Sequence, residues 1–249
     1  MELNLKDRVA VVTGGAAGIG EAIARALAHE GCKLCILDRD ENAARRTAES
    51  LGNGALSSAV DVSNADLVSN ALEKVAENHG RIDVLVNAAG VLSTGFVADL
   101  PVTEWQRVSQ VNLAGIVYCV KAAIPAMKKQ NGGRIINIAS VSAERGGGSV
   151  GNTLYGATKA GVVALTKGLA RELGPDKITV NAIAPAIADT AMTHKLLTDD
   201  ALKKILARIP IGRLAALSDI ADLAVFLASD RANFITGATI PVDGGILTT

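Results

Sequence analysis

Arg8-Val9-Ala10-Val11-Val12-Thr13-Gly14-Gly15-Ala16-Ala17-Gly18-Ile19-Gly20 decides the fold. The first six residues are a short apolar run of the kind a buried strand needs, and they lead straight into a glycine-rich turn. From Glu21 to Glu30 the residues are good helix formers, and Gly31 offers a stop. Strand, glycine turn and helix together make a phosphate site. Glycines let the backbone come close to a diphosphate, and free amides at the helix start favour its charge. As the opening β-α unit, this stretch predicts nucleotide binding at Gly14, Ala17 and Ile19.

Outward from that unit, the pattern repeats. Strands are expected at Lys33–Leu37, Ala55–Val60, Ile82–Val86, Arg134–Ala139, Ile178–Ala184 and Ala238–Val242. Helices are expected between them, including a long one over Val102–Lys129 capped at Thr103 and interrupted at Pro125, and another capped by Ser218 and running to Ala228. Strands and helices alternate about seven times with no linker or repeat. The expectation is an α/β chain of 249 residues in one domain, a Rossmann-type doubly wound parallel sheet of about seven strands. Polar residues after the sixth strand suggest a short substrate lid over about 188–212. Aromatics are only 2% of the chain, so the core must be aliphatic, which suits strands covered on both faces.

Charge and cysteine usage exclude several functions. The formal net charge is zero and no run of like charges occurs, so a nucleic-acid partner is not expected. Cys32, Cys35 and Cys119 are too few and too scattered for a disulfide framework, and Cys32 and Cys35 read as buried thiols rather than metal ligands. The N-terminal residues show no secretory pattern, and no uninterrupted apolar stretch approaches the length of a membrane span. A cytoplasmic protein without a membrane or metal partner is the expectation.

Ligands of such sheets lie beyond the strand carboxyl ends, and the chemistry-bearing residues converge there. Asp38 ends the second strand, where a carboxylate can accept from adenosine ribose hydroxyls and repel a 2′-phosphate; this argues for NAD over NADP, with Asp40 better placed as a helix cap. Asp61 and Val62 close the third strand, Asn87 the fourth, and Ser140 the fifth. Asn112 sits in mid-helix, where an amide is unfavourable without a partner. Tyr155 and Lys159, four residues apart on a helix, share a face, so the ammonium is expected near the phenol oxygen and should favour its ionised form.

In order along the chain, Thr13-Gly14-xxx-Gly18-Ile19-Gly20, Asp61-Val62, Asn87-Ala88-Ala89-Gly90, Asn112, Ser140, Tyr155-xxx-Lys159 and Pro185 through Thr190 resemble the short-chain dehydrogenase/reductase family over essentially the whole chain. The resemblance implies a nicotinamide cofactor and hydride transfer between it and an alcohol or ketone. It implies Tyr155 as general acid and base, Lys159 holding the nicotinamide ribose and lowering the Tyr155 pKa, Ser140 on the substrate oxygen, and Asn112 holding a relay water. Gly14, Ala17, Ile19, Asp38, Asp61, Val62, Asn87, Ile187 and Thr190 would line the cofactor. Candidate substrate contacts are Ser140, Ser142, Asn152 and Tyr155.

Three departures accompany it. The spacing usual in the family would select Ser142, two residues after Ser140; Ser140 is preferred because it comes directly off a strand. Ala186 stands where the family usually has glycine, and Ala17 brings no basic side chain of the kind NADP-preferring members use, which again implies NAD. The long serine-to-tyrosine loop resembles that of polyol and sugar-alcohol dehydrogenases, so NAD-linked oxidation of a polyol or small diol is the leading expectation. NADPH-linked reduction of 3-oxoacyl groups on acyl carrier protein is the enzymatic rival, and a non-catalytic NAD sensor is the rival of another class. A homotetramer formed through the helices carrying Asn112 and Tyr155 is implied as well.

Overall fold

A computed structural model describes residues 2–148, 150–190, 193 and 197–248. Seven strands form one sheet: β1 (Val9–Thr13), β2 (Lys33–Asp38), β3 (Leu56–Ala59), β4 (Val84–Asn87), β5 (Gly133–Ile138), β6 (Ile178–Pro185) and β7 (Thr239–Val242). Their order is β3-β2-β1-β4-β5-β6-β7. Every pairing is parallel. The order reverses between β1 and β4, which leaves a crevice at the carboxyl ends of those two strands.

Alternation along each strand builds two cores. Val9 and Val11 point to one face, where they meet Val68, Leu72 and Val75 of α3 (Ala65–His79), Ile116, Cys119, Val120 and Met127 of α5 (Gly115–Lys129), and Val162 of α7 (Thr153–Leu173). Ala10 and Val12 point to the other, against Ile23 and Leu27 of α1 (Gly18–His29), Ala44 of α2 (Glu41–Leu51), and Ile220, Ala224 and Leu227 of α9 (Leu217–Ala228). Because both faces are covered, a polar side chain on a central strand needs a hydrogen-bond partner or a place at the strand end. That is where the site residues stand. A further helix, α8 (Asp199–Leu206), lies in the segment expected to form a lid, of which Ala191, Met192 and His194–Leu196 fall outside the described residues.

Several local expectations differ from the structure. α1 begins at Gly18 rather than Glu21, so Gly20, the last glycine of the motif, lies inside the helix. β3 is shorter than expected and wholly exposed, as befits a polar edge strand containing Ser57 and Ser58. The helix α4 (Val102–Ser109) starts after Pro101 with no side-chain cap from Thr103, since proline already fixes the entry backbone. α9 starts at Leu217, and the side chain of Asp219, not Ser218, accepts the Ala216 N–H at 2.8 Å. Pro125 does not interrupt α5; it lies on the exposed face, where water can satisfy the carbonyl it frees. The irregularity lies earlier, in a π turn over Gln110–Ala114. The expected flexible loop after Ser140 contains a helical turn, α6 (Ser142–Arg145), closed by left-handed Gly146.

Val102–Lys129 is long enough to cross a membrane, with a window of mean hydropathy 1.3, but its apolar residues Ile116, Cys119, Val120, Ala123 and Met127 are buried against the sheet. Cys32, Cys35 and Cys119 are free and buried, and burial pushes each thiol up to about 12.

Candidate active site

Gly14 has φ +63°, and a Cβ there would lie 2.7 Å from the Cα of Ala89, so only glycine lets the β1 turn pass the end of β4. Gly20 is equally constrained, since its Cβ would fall 2.1 Å from the Gly14 carbonyl oxygen. Gly18 differs. At φ +56° its Cβ position meets nothing within 4 Å, so this glycine faces open space. Ala17 makes no side-chain cap on α1, leaving first-turn amides free for an anion, and Ile19 follows on the partly buried side. Open space, unsatisfied amides and the dipole of a twelve-residue helix fit the diphosphate of a dinucleotide.

Asp38 closes β2 beside this cradle. Its Oδ2 accepts the Ala16 N–H at 3.2 Å and its Oδ1 the Asp40 N–H at 3.1 Å, which fixes the carboxylate against the glycine turn with acceptor sites to spare. Asp40 is the α2 cap, accepting from Ala43 at 2.9 Å. Arg39 is exposed and acts electrostatically on Asp61. Asp61 is held below the usual carboxylate range, first by the Ser63 hydroxyl at 2.7 Å and then by the Ser63 N–H at 2.9 Å. Val62 is buried against Gly115, where an added Cβ would come within 2.9 Å of its side chain.

At the end of β4, Asn87 is buried and donates to Asn137 Oδ1 at 2.9 Å; Asn137 donates to Thr166 Oγ1 at 2.9 Å, and Thr166 to the Val162 carbonyl at 2.8 Å. This chain of amides and hydroxyl ties β4 and β5 to the helix α7. The Asn87 side-chain oxygen is buried without a hydrogen-bond partner among the described residues.

Lys159 is buried, and its Nζ donates to the Ile138 carbonyl at 2.7 Å while lying 5.7 Å from the centre of the Tyr155 ring. Burial lowers its pKa to about 8. Burial raises that of Tyr155, and a hydrogen bond with the Ser140 side chain pulls it partly back. The ammonium thus has a backbone carbonyl as one partner, and the side chain that bonds Tyr155 is Ser140. Ser140 Oγ also accepts the Ser142 N–H at 3.1 Å. The Ser142 hydroxyl lies toward Gly148 instead, 3.6 Å from the Cβ position there.

Asn112 is fully buried, and its whole amide is engaged: Oδ1 accepts the Val91 N–H at 2.7 Å, and Nδ2 donates to the Val91 carbonyl at 2.9 Å and to Thr158 Oγ1 at 3.2 Å. Its side chain is thus a clamp on the loop after β4, and any water it orders must use its remaining oxygen lone pair or its backbone. Gly90 lies beside both groups: its Cβ position is 3.4 Å from Asn112 Oδ1 and 3.7 Å from Lys159 Nζ. Asn152 caps α7, accepting the Tyr155 N–H at 3.1 Å and donating to Ser93 Oγ at 2.9 Å, so both ends of this candidate substrate contact are already used. Ile187 packs on the small cluster of Val141, Ile205, Ile209 and Ile246. Thr190 pairs with Thr193 Oγ1 at 2.9 Å, and Ala186 N–H bonds the Val242 carbonyl at 3.0 Å.

A cavity of about 590 Å3 opens at Gly151, the residue that packs on the Tyr155 ring. Thr94–Val97 form one wall, Gly146–Gly148 and Val150–Thr153 the other, and Leu197 faces them. Gly151 abuts the Tyr155 ring so closely that a Cβ would lie 2.4 Å from it. None of the described lining residues is charged.

A protein-family profile described as enoyl-(acyl carrier protein) reductase matches residues 14–247, almost the whole span just described. The chain belongs to the short-chain dehydrogenase/reductase family. The 3-oxoacyl-(acyl-carrier-protein) reductase of Escherichia coli (strain K12) is 38% identical over 244 residues, 98% of this chain and 99% of that one. That of Thermotoga maritima is 36% identical over 248 residues, 98% and 100% of the two chains. The crystal structure of a protein described as a short-chain alcohol dehydrogenase from Sinorhizobium meliloti 1021 aligns over 100% of both chains with a TM-score of 0.94 at 37% identity. Short-chain dehydrogenases/reductases are oxidoreductases that bind a nicotinamide cofactor, act on CH–OH or carbonyl groups of small molecules, and commonly form oligomers.

Residue types at strand ends gave away Asp38, Asn87 and Ser140. The chain through Asn137 and Thr166, the Ile138 carbonyl, and the Ser93–Asn152 link escaped the sequence reading. An Asn inside an apolar strand, Asn137 in Ile135-Ile136-Asn137-Ile138, was the available signal, because a buried amide demands a partner.

Proposed function

We propose that this enzyme reduces the ketone of a 3-oxoacyl substrate to the secondary alcohol, using NADH, in a reversible reaction. The observation that carries the substrate class is the uncharged, glycine-walled cavity separated from the Tyr155 ring by Gly151, with Phe96, 82% exposed, in its wall. Phe96, Val97, Val150 and Leu197 give an acyl chain apolar surface to cover on leaving water. The relatives named as 3-oxoacyl-(acyl-carrier-protein) reductases support the same reading over the polyol expectation. NADH rather than NADPH is favoured by Asp38, whose carboxylate would face the adenosine ribose and repel a phosphate on it.

When bound, the nicotinamide would supply the hydride. The chain's own residues do the rest. The Tyr155 phenol donates a proton to the carbonyl oxygen as negative charge develops there, and it takes that proton back in the reverse direction. The Ser140 hydroxyl, bonded to Tyr155 in the free site, turns its single proton to the same oxygen and steadies its charge. Lys159, with a pKa of about 8, exchanges a proton readily in mildly alkaline solution and is within reach of the proton path through its shared helix face. Asn112 holds the Val91 loop that walls this side of the site. Gly14, Ala17, Ile19, Asp61, Val62, Asn87, Ile187 and Thr190 would hold the dinucleotide, and the assembly would be a tetramer.

Initial rates with an acetoacetyl thioester, a small polyol and a hydroxy acid, each with both nucleotides, test the reading. The highest kcat/KM is expected for the thioester with NADH. A preference for the polyol would overturn the substrate class and leave the redox chemistry standing.

A further inference from the structure

At the amino ends of the strands, on the side of the sheet away from Tyr155, lies a second cavity of about 520 Å3. Its walls come from residues that precede or open β1, β4, β5 and β6, so at least the length of a five-residue strand, about 17 Å, separates it from the crevice at the carboxyl ends. The catalytic chemistry makes no use of it.

Its charge is unbalanced. Arg8, Arg81, Arg134 and Lys177 line it against only two carboxylates, Asp83 and Asp230. Asp83 is already committed, accepting from Arg81 at 2.7 and 2.5 Å and from the Val9 N–H at 2.9 Å. Asp230 serves two guanidinium groups with one oxygen, at 2.6 Å from Arg8 and 3.6 Å from Arg134. Arg134 is only 9% exposed, bonds Asn233, and keeps a buried Nε with no hydrogen-bond partner among the described residues. Burial and the nearby charge of Arg8 both make it harder for Arg134 to hold its proton. Lys177 has no carboxylate partner among the described residues, and it occupies a left-handed turn position at φ 56°, where glycine would sit without strain. Two cations thus lie beyond what the local carboxylates neutralise, and one of them is a nearly buried arginine.

We propose that this cavity binds a phosphate group, either inorganic phosphate or the terminal phosphate of a small metabolite. A phosphate close to doubly charged at neutral pH matches the surplus of two, whereas a carboxylate matches half of it. Planar guanidinium groups bind such oxygens in pairs, and burial strengthens the attraction. The ligand would take the share of Arg134 that Asp230 cannot.

Thermal denaturation of the full chain, with a nicotinamide dinucleotide saturating so that its own phosphate cradle is filled, tests the site. Inorganic phosphate, glycerol phosphate and acetate are titrated at fixed ionic strength against chloride. A saturable rise in the midpoint is expected with one or both phosphate compounds and not with acetate, and the comparison of the two tells free phosphate from a phosphate ester. Lys177→Gln, an exposed change, should weaken the apparent affinity at least tenfold and leave kcat and KM for the redox reaction unchanged. Arg134→Gln should abolish the response, and Lys177→Gln carries the test if that variant folds poorly. Equal shifts with phosphate, acetate and chloride, or a phosphate response that Lys177→Gln leaves intact, would overturn the proposal.

Discussion

Lys159 Nζ donates to the Ile138 carbonyl at 2.7 Å, so the buried ammonium is anchored to the strand that delivers Ser140. This bond sets the position of the lysine, while burial sets its charge. A folded-state pKa of about 8 against an ordinary 10.5 means that the unfolded chain binds the proton more tightly. The resulting penalty on the folded state is fully present below pH 8, and it is relieved as the pH rises from 8 to 10.5. The shift corresponds to about 3 kcal/mol at the low-pH limit. Lys159→Met should therefore be more stable than the parent at pH 7, with the difference shrinking toward pH 10 and the redox activity lost. Denaturant titrations of both proteins across that range check this, and a difference that does not change with pH would refute the assignment.

Tyr155→Phe removes the proton donor while keeping the ring that Gly151 packs against. Turnover should fall about a hundred- to ten-thousand-fold with nucleotide binding intact. Fluorescence titration with NADH alongside steady-state rates separates the two effects.

Ser140→Ala deletes the one side-chain hydrogen bond that pulls the Tyr155 pKa down. The phenol should then ionise at higher pH, and the limb of the pH–rate profile for alcohol oxidation should move upward as kcat drops. Ser142→Ala should leave that limb in place, because the Ser142 hydroxyl lies toward Gly148.

Gly18→Ala and Gly20→Ala should fail in different ways. At Gly18 the new methyl meets no protein atom but forces a left-handed residue, for about 1–2 kcal/mol, and it projects into the proposed diphosphate space. Nucleotide affinity should fall more than stability. At Gly20 the methyl collides with the Gly14 carbonyl at 2.1 Å, so the chain should lose about 3 kcal/mol or more of stability. Melting curves and NADH titrations of both variants read the contrast.

Asp38→Asn keeps an acceptor for the Ala16 N–H but removes the charge that would repel a ribose phosphate. The ratio of kcat/KM for NADH over NADPH should exceed about ten in the parent and fall in the variant. A parent enzyme that prefers NADPH would remove Asp38 from the proposed cofactor site.

What the sequence by itself determined was the order of the elements and the class of each strand end. Apolar runs of five or six residues followed by Gly, Asp or Asn can be covered on both faces and still present polar groups only at a carboxyl edge, which specifies a parallel sheet with a site at that edge. Local signals also failed locally: Thr103 and Ser218 looked like caps, yet Pro101 and Asp219 set those helix starts, because a cap depends on where the chain enters the helix. Tertiary structure alone decided what each site residue faces. Lys159 meets the Ile138 carbonyl, Asn112 spends its amide on Val91, and Ser140 rather than Ser142 reaches Tyr155. The cationic cavity at the opposite edge was likewise invisible, since Arg8, Arg134 and Lys177 are far apart in the chain and share a space only after four strands lie side by side. Spacing carries information over one turn of helix or one strand; contacts between β4, β5 and α7 are set by packing, which no local pattern encodes.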